Sequence, residues 1–351
     1  MDTYIEKIKI DATESIIHAL YKMDEVGHKM LLVFDQKKFI SILTIGDIQR
    51  AIIRGVDLSS SIVSILKMEK KIYVAPSDDK EKVKRQMLAI RAEFMPVVGE
   101  SGELVGLYQW SDFFGSQFFD NRERISLPVV IMAGGKGTRL KPLTNVIPKP
   151  LVPIGNKTIL EQIMDQFEKI GCSKFYMSVN YKYEILKFYL EKLEHRYDIE
   201  LLKEDRPLGT IGSVSLLKDK ISTPFFVSNC DILIDQDYRD VYDYHCENKN
   251  DITIVTAVKS YKIPYGVIET EDNGVMKGLT EKPELTYRIN TGVYILNCEL
   301  INEIPENHFF HITDLMDKVR RRGGKVGCFP VSEKSWTDIG QWDEYLKLIN
   351  V

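Results

Sequence analysis

Apolar and polar positions follow two different rhythms along this chain. Residues 30–47 read MLLVFDQKKFISILTIGD: an apolar run, a polar turn, a second apolar run, then a helix opening near an Asp. Residues 95–112, MPVVGESGELVGLYQWSD, repeat that order 65 positions later, setting Met30 on Met95, Val33 on Val98, Phe39 on Leu104, Ile42 on Leu107 and Asp47 on Asp112. The stretches ahead of the copies, 13–26 and 78–92, have helical length and period. Each copy is therefore expected to form helix, strand, turn, strand, helix. From residue 127 the rhythm changes to apolar strands alternating with longer amphipathic helices. Strands are predicted over 129–133, 175–179, 225–228 and 252–258, and helices over 162–170 and 182–196. That alternation predicts an α/β domain with a mixed, mostly parallel sheet. The polar, charged stretch around the Phe pair 118–119 reads as the connection. The expected division is 1–118, a linker 119–126, and 127–351.

Composition narrows the classes of function. Of 351 residues, 44% are hydrophobic and 28% charged, the balance of an ordinary globular chain with room for two domains. The formal net charge of -4 lacks the basic excess of a nucleic-acid binder. The apolar runs fall far short of the roughly 20 residues of a membrane span. The first residues, MDTYIEK, carry no apolar signal core, so a cytoplasmic protein without membrane partners is expected. Five cysteines (172, 230, 246, 298, 328), odd in number and without a C-x-x-C pair, read as reduced thiols rather than a zinc site or disulfide framework.

The tandem repeat resembles a pair of cystathionine-β-synthase (CBS) motifs, units that often bind adenine nucleotides. In that family a Thr/Ser-x-x-Asp at the second helix start holds a ribose. Thr44-Ile45-Gly46-Asp47 fits, whereas Gln109-Trp110-Ser111-Asp112 has Gln in place of the Thr. The resemblance thus implies an adenine nucleotide at Thr44 and Asp47, with Asp112 in a weaker second site. Asp also favours helix N-termini, so both aspartates read equally well as caps.

The first predicted strand of the larger domain runs into Gly134-Gly135-Lys136-Gly137-Thr138-Arg139-Leu140. Three glycines in four positions let the backbone approach an anion and expose N–H groups to it. Neither G-x-G-x-x-G nor the Lys-Ser/Thr ending of a Walker loop is present. Pro148 and Pro150 flank Lys149, and prolines on both sides should hold it in an extended segment. A rigid loop carrying Arg139 and Lys149 suits a triphosphate. The string 134–153 fills every fixed position of GGxGTRLxPLTxxxPKPxxP, the signature of sugar-1-phosphate nucleotidyltransferases. This resemblance implies a Rossmann-like nucleotidyltransferase domain in which Gly134, Gly135, Gly137 and Thr138 bind the nucleotide, Arg139 contacts its phosphates and Lys149 the phosphate under attack.

Further motifs follow in family order. Asn229-Cys230-Asp231 and Trp336-Thr337-Asp338-Ile339-Gly340 resemble the family's two metal-binding motifs, N-G-D and W-x-D-x-G, with Cys230 where Gly is usual. Magnesium favours one or two carboxylates supplemented by water and substrate phosphates, so Asp231 and Asp338 are the expected Mg²⁺ ligands. Glu204-Asp205-Arg206-Pro207-Leu208-Gly209-Thr210 resembles the base-reading loop, with Gly209 against the base plane. Guanine presents two adjacent donors, N1–H and N2–H₂, and a carboxylate accepts both, so Glu204 points to GTP. The alternative is a Glu204 that faces solvent or pairs with Arg206. The Tyr265-Gly266, Glu281-Lys282-Pro283 and Asn290-Thr291-Gly292 segments resemble the sugar-phosphate side, which implies Lys282 on the phosphate and Gly266, Glu281 and Asn290 on hydroxyls.

Together these resemblances imply an Mg²⁺-dependent sugar-1-phosphate guanylyltransferase with a regulatory CBS pair, assembled as a homo-oligomer. The fusion is similar to the glucosamine-1-phosphate guanylyltransferases of bacterial legionaminic acid biosynthesis. Mannose- or heptose-1-phosphate guanylyl transfer, or uridylyl transfer, remains an alternative. So does a nucleotide sensor in which the CBS pair binds ligand and the larger domain is inert.

Overall fold

Short runs of β-branched and aromatic residues build the main sheet of the C-terminal half. Its strands are β1 (Val129–Met132), β2 (Lys174–Val179), β3 (Asp198–Lys203), β4 (Phe225–Asn229), β5 (Ile252–Lys262), β6 (Glu284–Leu296) and β7 (Val326–Ser332). They lie in the order β3-β2-β1-β4-β6-β5-β7. Only β6 runs against its neighbours; every other pairing is parallel. Strands covered on both faces read as continuous apolar runs rather than alternating ones, which is why β1, the Phe175–Met177 stretch of β2 and the Phe225–Val227 stretch of β4 are legible as hydrophobic segments. Alternate residues still part to opposite faces. Val129, Ile131 and Phe226 pack in one hydrophobic layer, while Val130, Phe225 and Val227 pack in the other. Phe167 and Tyr238 stack in the first layer with ring centroids 4.5 Å apart.

The computed structural model describes residues 2–67, 72–90, 92–114, 122–193 and 196–349. The chain divides into two compact units, Met1–Arg122 and Glu123–Val351. Of the expected linker 119–126, positions 119–121 lie outside the described residues. Among the described residues no helix is long and apolar enough to cross a membrane. All five cysteines are free thiols. The helix expected over 162–170 forms at Ile159–Glu168, because a capping box between Thr158 and Glu161 starts it earlier. The helix expected over 182–196 is Tyr183–Glu191 and ends sooner.

In the smaller unit the two copies form as helix, strand, strand, helix. The first uses Ile16–Val26, Met30–Asp35, Lys38–Thr44 and Ile45–Ile53; the second uses Lys80–Ile90, Phe94–Val98, Leu104–Gln109 and Ser111–Phe114. The register differs from the uniform 65-residue offset. Phe34 pairs with Phe39, and Val98 with Leu104. The Ile45 N–H bonds the Lys29 carbonyl, and the Trp110 N–H the Glu93 carbonyl, both at 2.8 Å. In the first strand, therefore, Leu31 rather than Met30 corresponds to Met95, while Asp47 and Asp112 remain equivalent. The cause is one more residue in the second turn, which Gly102 accommodates at φ 84°.

Strand order reverses between β1 and β4. The chain steps from β1 outward to β2 and β3, then returns to place β4 on the other side of β1. In open α/β sheets the loops leaving such a pair diverge and leave a crevice at the carboxyl ends. Asn229, the last residue of β4, pairs with Met132, the last of β1, so both exits open at one place.

Candidate active site

The chain leaving β1 forms the glycine loop and a short 3-10 turn, Thr138–Leu140. The Thr144 hydroxyl donates to the Gly137 carbonyl at 2.8 Å, fastening the loop. The crevice beside it is a cavity of about 450 Å³, whose walls include Gly134, Gly135, Gly137, Thr138, Arg139, Lys149, Glu204, Gly209, Asp231 and Gly340. Residues from four separate motifs thus meet in one space.

Lys149 opens a 3-10 turn, Lys149–Leu151, after Pro148 at φ -65°, rather than lying in an extended segment. Its side chain is buried and donates to the Asp231 carboxylate. Arg139 is more exposed and lies 3.9 Å from Asp231 and 3.7 Å from Asp338. The two aspartates are brought together by a small ladder, Ile232–Ile234 against Trp336–Asp338, in which Ile232 pairs with Asp338. The Ile339 N–H also bonds the Asp231 carbonyl at 2.9 Å. Gly340 is the clearest sign of how closely the groups converge. A Cβ there would stand 2.7 Å from Asp338 Oδ1 and 2.9 Å from both Asp231 Oδ2 and Arg139 Nη2. Cys230, in the usual Gly position, is a buried core residue whose thiol is pushed up to about 12 by burial and by the charge of Asp231.

Glu204 is 6% exposed, so it does not face solvent. Arg206 donates instead to the Asn307 carbonyl. Ser178 Oγ donates to Glu204 Oε1, and the Leu208 N–H donates to Oε2 at 3.1 Å. Gly134 lies alongside, where a Cβ would stand 3.4 Å from Oε1. Gly209 lines the cavity at φ +85°, and a Cβ on it would meet the Phe310 carbonyl oxygen at 2.5 Å. The glycine is thus required by the backbone packed behind it, whatever lies in front.

That packing comes from a segment the motifs did not reveal. The Phe310 N–H bonds the Leu208 carbonyl at 3.0 Å, and the Thr210 hydroxyl accepts from the Ile312 N–H at 2.9 Å. Phe309 and His311 join the cavity wall, their rings 4.7 Å apart. The available signal was the helix start at Ile312–Arg321, where Asp314 accepts from the His311 N–H at 2.9 Å.

The sugar-side residues lie elsewhere. Gly266, Glu281, Lys282 and Asn290 are exposed and do not line the 450 Å³ cavity. Three of them do cluster: a Cβ on Gly266 would stand 2.8 Å from Glu281 Oε2, and the Lys282 N–H bonds the Tyr265 carbonyl at 3.2 Å. Asn290 sits at an irregularity where β6 pairs with β5. Tyr294 faces Ile254 but Asn290 already faces Thr256, so Thr291, Gly292 and Val293 stand opposite Val255 alone. The Asn290 side chain accepts from the Gly292 N–H at 3.0 Å and closes this bulge.

In the smaller unit Thr44 and Asp47 form a capping box. The Thr44 hydroxyl donates to Asp47 Oδ2 at 2.6 Å, while Arg50 and Lys67 approach Oδ1 at 2.5 and 3.1 Å. Burial opposes ionisation of Asp47, but these donors outweigh it and hold its carboxyl below the usual value. Asp112 likewise accepts from the Gln109 N–H, at 2.7 Å. Asp47 is thus the third residue of its helix, in a capping box whose N-cap is Thr44, and Asp112 lies in the first turn of its own helix.

Among the described residues no three His, Cys, Asp or Glu side chains converge as a metal cage. Two carboxylates meeting at a glycine, with Asp231 lining the cavity, are instead a donor set that suits magnesium, which keeps water and substrate phosphates in its remaining positions. Asp231 and Asp338 fit such an ion.

The profile of the nucleotidyl transferase family matches residues 128–350, and that of the CBS domain matches residues 4–54, which hold the first copy of the repeat. The mannose-1-phosphate guanylyltransferase catalytic subunit beta of Drosophila melanogaster is 35% identical over 182 residues, 50% of this chain and 49% of that protein. The mannose-1-phosphate guanyltransferase of Yarrowia lipolytica is 35% identical over 225 residues, 62% of this chain and 61% of its own. This chain therefore spans about half to three fifths of the length of these curated relatives. The crystal structure of HddC from Yersinia pseudotuberculosis aligns with a TM-score of 0.51 at 28% identity, covering 64% of this chain and 98% of that one. With more than half of its length matched by that profile, the chain belongs to the nucleotidyl transferase family, and it carries a CBS domain ahead of the transferase domain.

Proposed function

We propose that the protein transfers a guanylyl group from GTP to a sugar 1-phosphate, releasing pyrophosphate and forming a GDP-sugar. One observation carries this reading: Arg139, Lys149 and Asp231 line the cavity whose wall also holds Glu204, and Asp338 lies 3.7 Å from Arg139. Cations and metal-binding carboxylates at one end, and a buried carboxylate at the other, suit a triphosphate and a base with two adjacent donors. The similarity to mannose-1-phosphate guanylyltransferases supports the same base.

The attacking oxygen of a sugar 1-phosphate is already anionic, so no strong general base is required. It forms a bond to the α-phosphorus as the bridging oxygen to the β-phosphorus departs with its electron pair on pyrophosphate. The barrier lies in bringing two anions together in line. Lys149, deep in the cavity, offsets charge on the α-phosphate. Arg139, nearer solvent, holds the departing phosphates. A Mg²⁺ on Asp231 and Asp338 supplies further positive charge to the phosphates when bound. Glu204 orients the base, and the Phe310 backbone fixes Gly209 beside it. Lys282, Glu281, Gly266 and Asn290 receive the sugar phosphate from the exposed arm. The CBS unit takes an adenine nucleotide as regulator, which requires Arg50 and Lys67 to yield at Asp47.

For the sugar we propose glucosamine 1-phosphate, serving legionaminic acid biosynthesis, on the likeness of the CBS fusion. Mannose 1-phosphate is the second reading, favoured by the named relatives. Five nucleoside triphosphates assayed against several sugar 1-phosphates, with pyrophosphate release as readout, test both levels. GTP with one hexose 1-phosphate should dominate. Equal or greater turnover of UTP or dTTP overturns the guanylyl assignment, and no turnover with any pair returns the protein to a sensor role.

A further inference from the structure

Glu204 ends in a torsion that has no sharp preference of its own, because the terminal bond of a glutamate side chain rotates broadly. A carboxylate that must present two parallel acceptors to a base needs its plane fixed from outside. Here one donor reaches each oxygen: Ser178 Oγ for Oε1 and the Leu208 N–H for Oε2. The backbone is pinned as well, since the Glu204 N–H bonds the Val179 carbonyl at 2.9 Å and Asn180 Nδ2 bonds the Glu204 carbonyl at 2.8 Å. Each carboxylate oxygen has about two acceptor sites, so one on each remains. Gly134 leaves space beside Oε1, with nothing larger than hydrogen where a side chain would stand.

Ser178 is itself out of keeping with its setting. It is fully buried in β2, in the sequence Lys174-Phe175-Tyr176-Met177-Ser178-Val179, among apolar residues. A buried hydroxyl is tolerated where it is hydrogen-bonded, and this one bonds the Glu204 carboxylate. Leu202 of β3 lies directly across from it, which sets the distance from Ser178 to the loop carrying Glu204.

We propose that Ser178 is a positioning residue for base selection: its hydroxyl fixes the plane of the Glu204 carboxylate so that both free acceptor sites face the base edge. This rests on the guanylyl reading of the site. Inosine triphosphate, which lacks the guanine 2-amino group, and UTP are the probes. Without Ser178 the carboxylate rotates, one acceptor swings off the base, and preference for GTP falls.

The test measures kcat and KM for GTP, ITP and UTP in the wild type and in Ser178→Ala, Ser178→Cys and Glu204→Gln. Ser178→Ala should lower the GTP/ITP ratio of kcat/KM by roughly tenfold, carried mainly by KM, as expected for losing one hydrogen bond to a charged group. Ser178→Cys, near in size but a weak donor, should fall between wild type and Ala. It carries the test if the Ala variant does not fold. Unchanged GTP/ITP ratios in the folded Ser178 variants, together with an altered ratio in Glu204→Gln, overturn the role of Ser178 alone. A GTP/UTP ratio unmoved by Glu204→Gln removes Glu204 as the base reader and Ser178 with it, whereas a wild type that turns over UTP as well as GTP overturns the guanylyl reading beneath both.

Discussion

Lys149 and Asp231 hold each other in the bare protein. The Lys149 ammonium donates to the same Asp231 oxygen, Oδ2, that lies toward Arg139, and both side chains are buried. Either charge alone in that position would be costly, so each serves as the other's partner until substrate arrives. On the proposed function, a bound phosphate would take Lys149 and leave the Asp231 carboxylate to hold a cation. Lys149→Ala should lower kcat by about 100-fold or more, on the order of 3 kcal/mol, the scale of losing one electrostatic contact to the transition state. Steady-state kinetics on folded protein check it, and near wild-type kcat would refute the role.

The two aspartates should differ in their contribution to stability although the same metal-binding role is proposed for both. Asp231→Asn strands the Lys149 ammonium, and breaking a buried pair from one side costs on the order of 3 kcal/mol. Asp338 is less buried and accepts from the Gly340 N–H at 2.8 Å, so Asp338→Asn should cost less stability. Both variants should lose most activity at low Mg²⁺. Thermal melts beside Mg²⁺ titrations of activity separate the effects. Full activity of either variant at low Mg²⁺ removes that residue from the ligand set.

Glu204→Gln keeps shape and exchanges an acceptor for a donor. One guanine hydrogen bond is lost and an N–H faces an N–H, at a cost of about 1.5–3 kcal/mol. The expected result is a loss of roughly 10- to 100-fold in kcat/KM for GTP, with UTP use rising relative to GTP. An unchanged ratio means that Glu204 does not read the base.

His245 gives the larger unit a predictable response to acid. It is buried, with Nδ1 2.9 Å from Thr253 Oγ1 and Nε2 3.1 Å from Asn297 Oδ1. Asn297 Nδ2 donates to the Asn250 carbonyl, which turns Oδ1 toward the imidazole and makes Nε2 the protonated nitrogen. Burial lowers its pKa from the ordinary 6.5. Below pH 6.5 the unfolded chain therefore binds a proton that the folded one refuses. Stability from this group is full above 6.5 and declines as pH falls, by at most about 1.4 kcal/mol per pH unit. His245→Gln should flatten the change in Tm between pH 7.5 and 5.5. A variant with the wild-type slope would show that other groups set it.

The central strands were legible because burial on both faces leaves nothing to interrupt Val129–Met132 or Phe225–Val227. The glycine loop and both aspartates were legible because their chemistry demands particular residues in a row. What bound them together was not. The approach of Asp338 to Asp231 depends on a three-residue ladder joining segments about a hundred positions apart. The wall at Phe309–His311 uses main-chain carbonyls, which any residue carries. Ser178 is one polar residue in an apolar strand, and nothing in the sequence names Glu204 as its partner. The one-residue slip between the repeat copies leaves no mark in the sequence pattern, because Met30 on Met95 and Leu31 on Met95 satisfy an apolar pattern equally well.

The bulge at Asn290–Gly292 makes the gap between the two halves of the site an angular quantity. On one side of it, β6 is clamped between β4 and β5; on the other it pairs with β5 alone, out to Glu284. At about 3.3 Å per residue, the six steps from Asn290 to Glu284 make a boom of about 20 Å, and a tilt of about 10° at its foot sweeps the tip through about 3.5 Å. Glu281 and Lys282 ride beyond that tip. If Glu281 and Lys282 hold a sugar phosphate as proposed, a change at the bulge that the Asn290 to Gly292 N–H bond closes would swing both by that amount, in the way a set screw trims a crane.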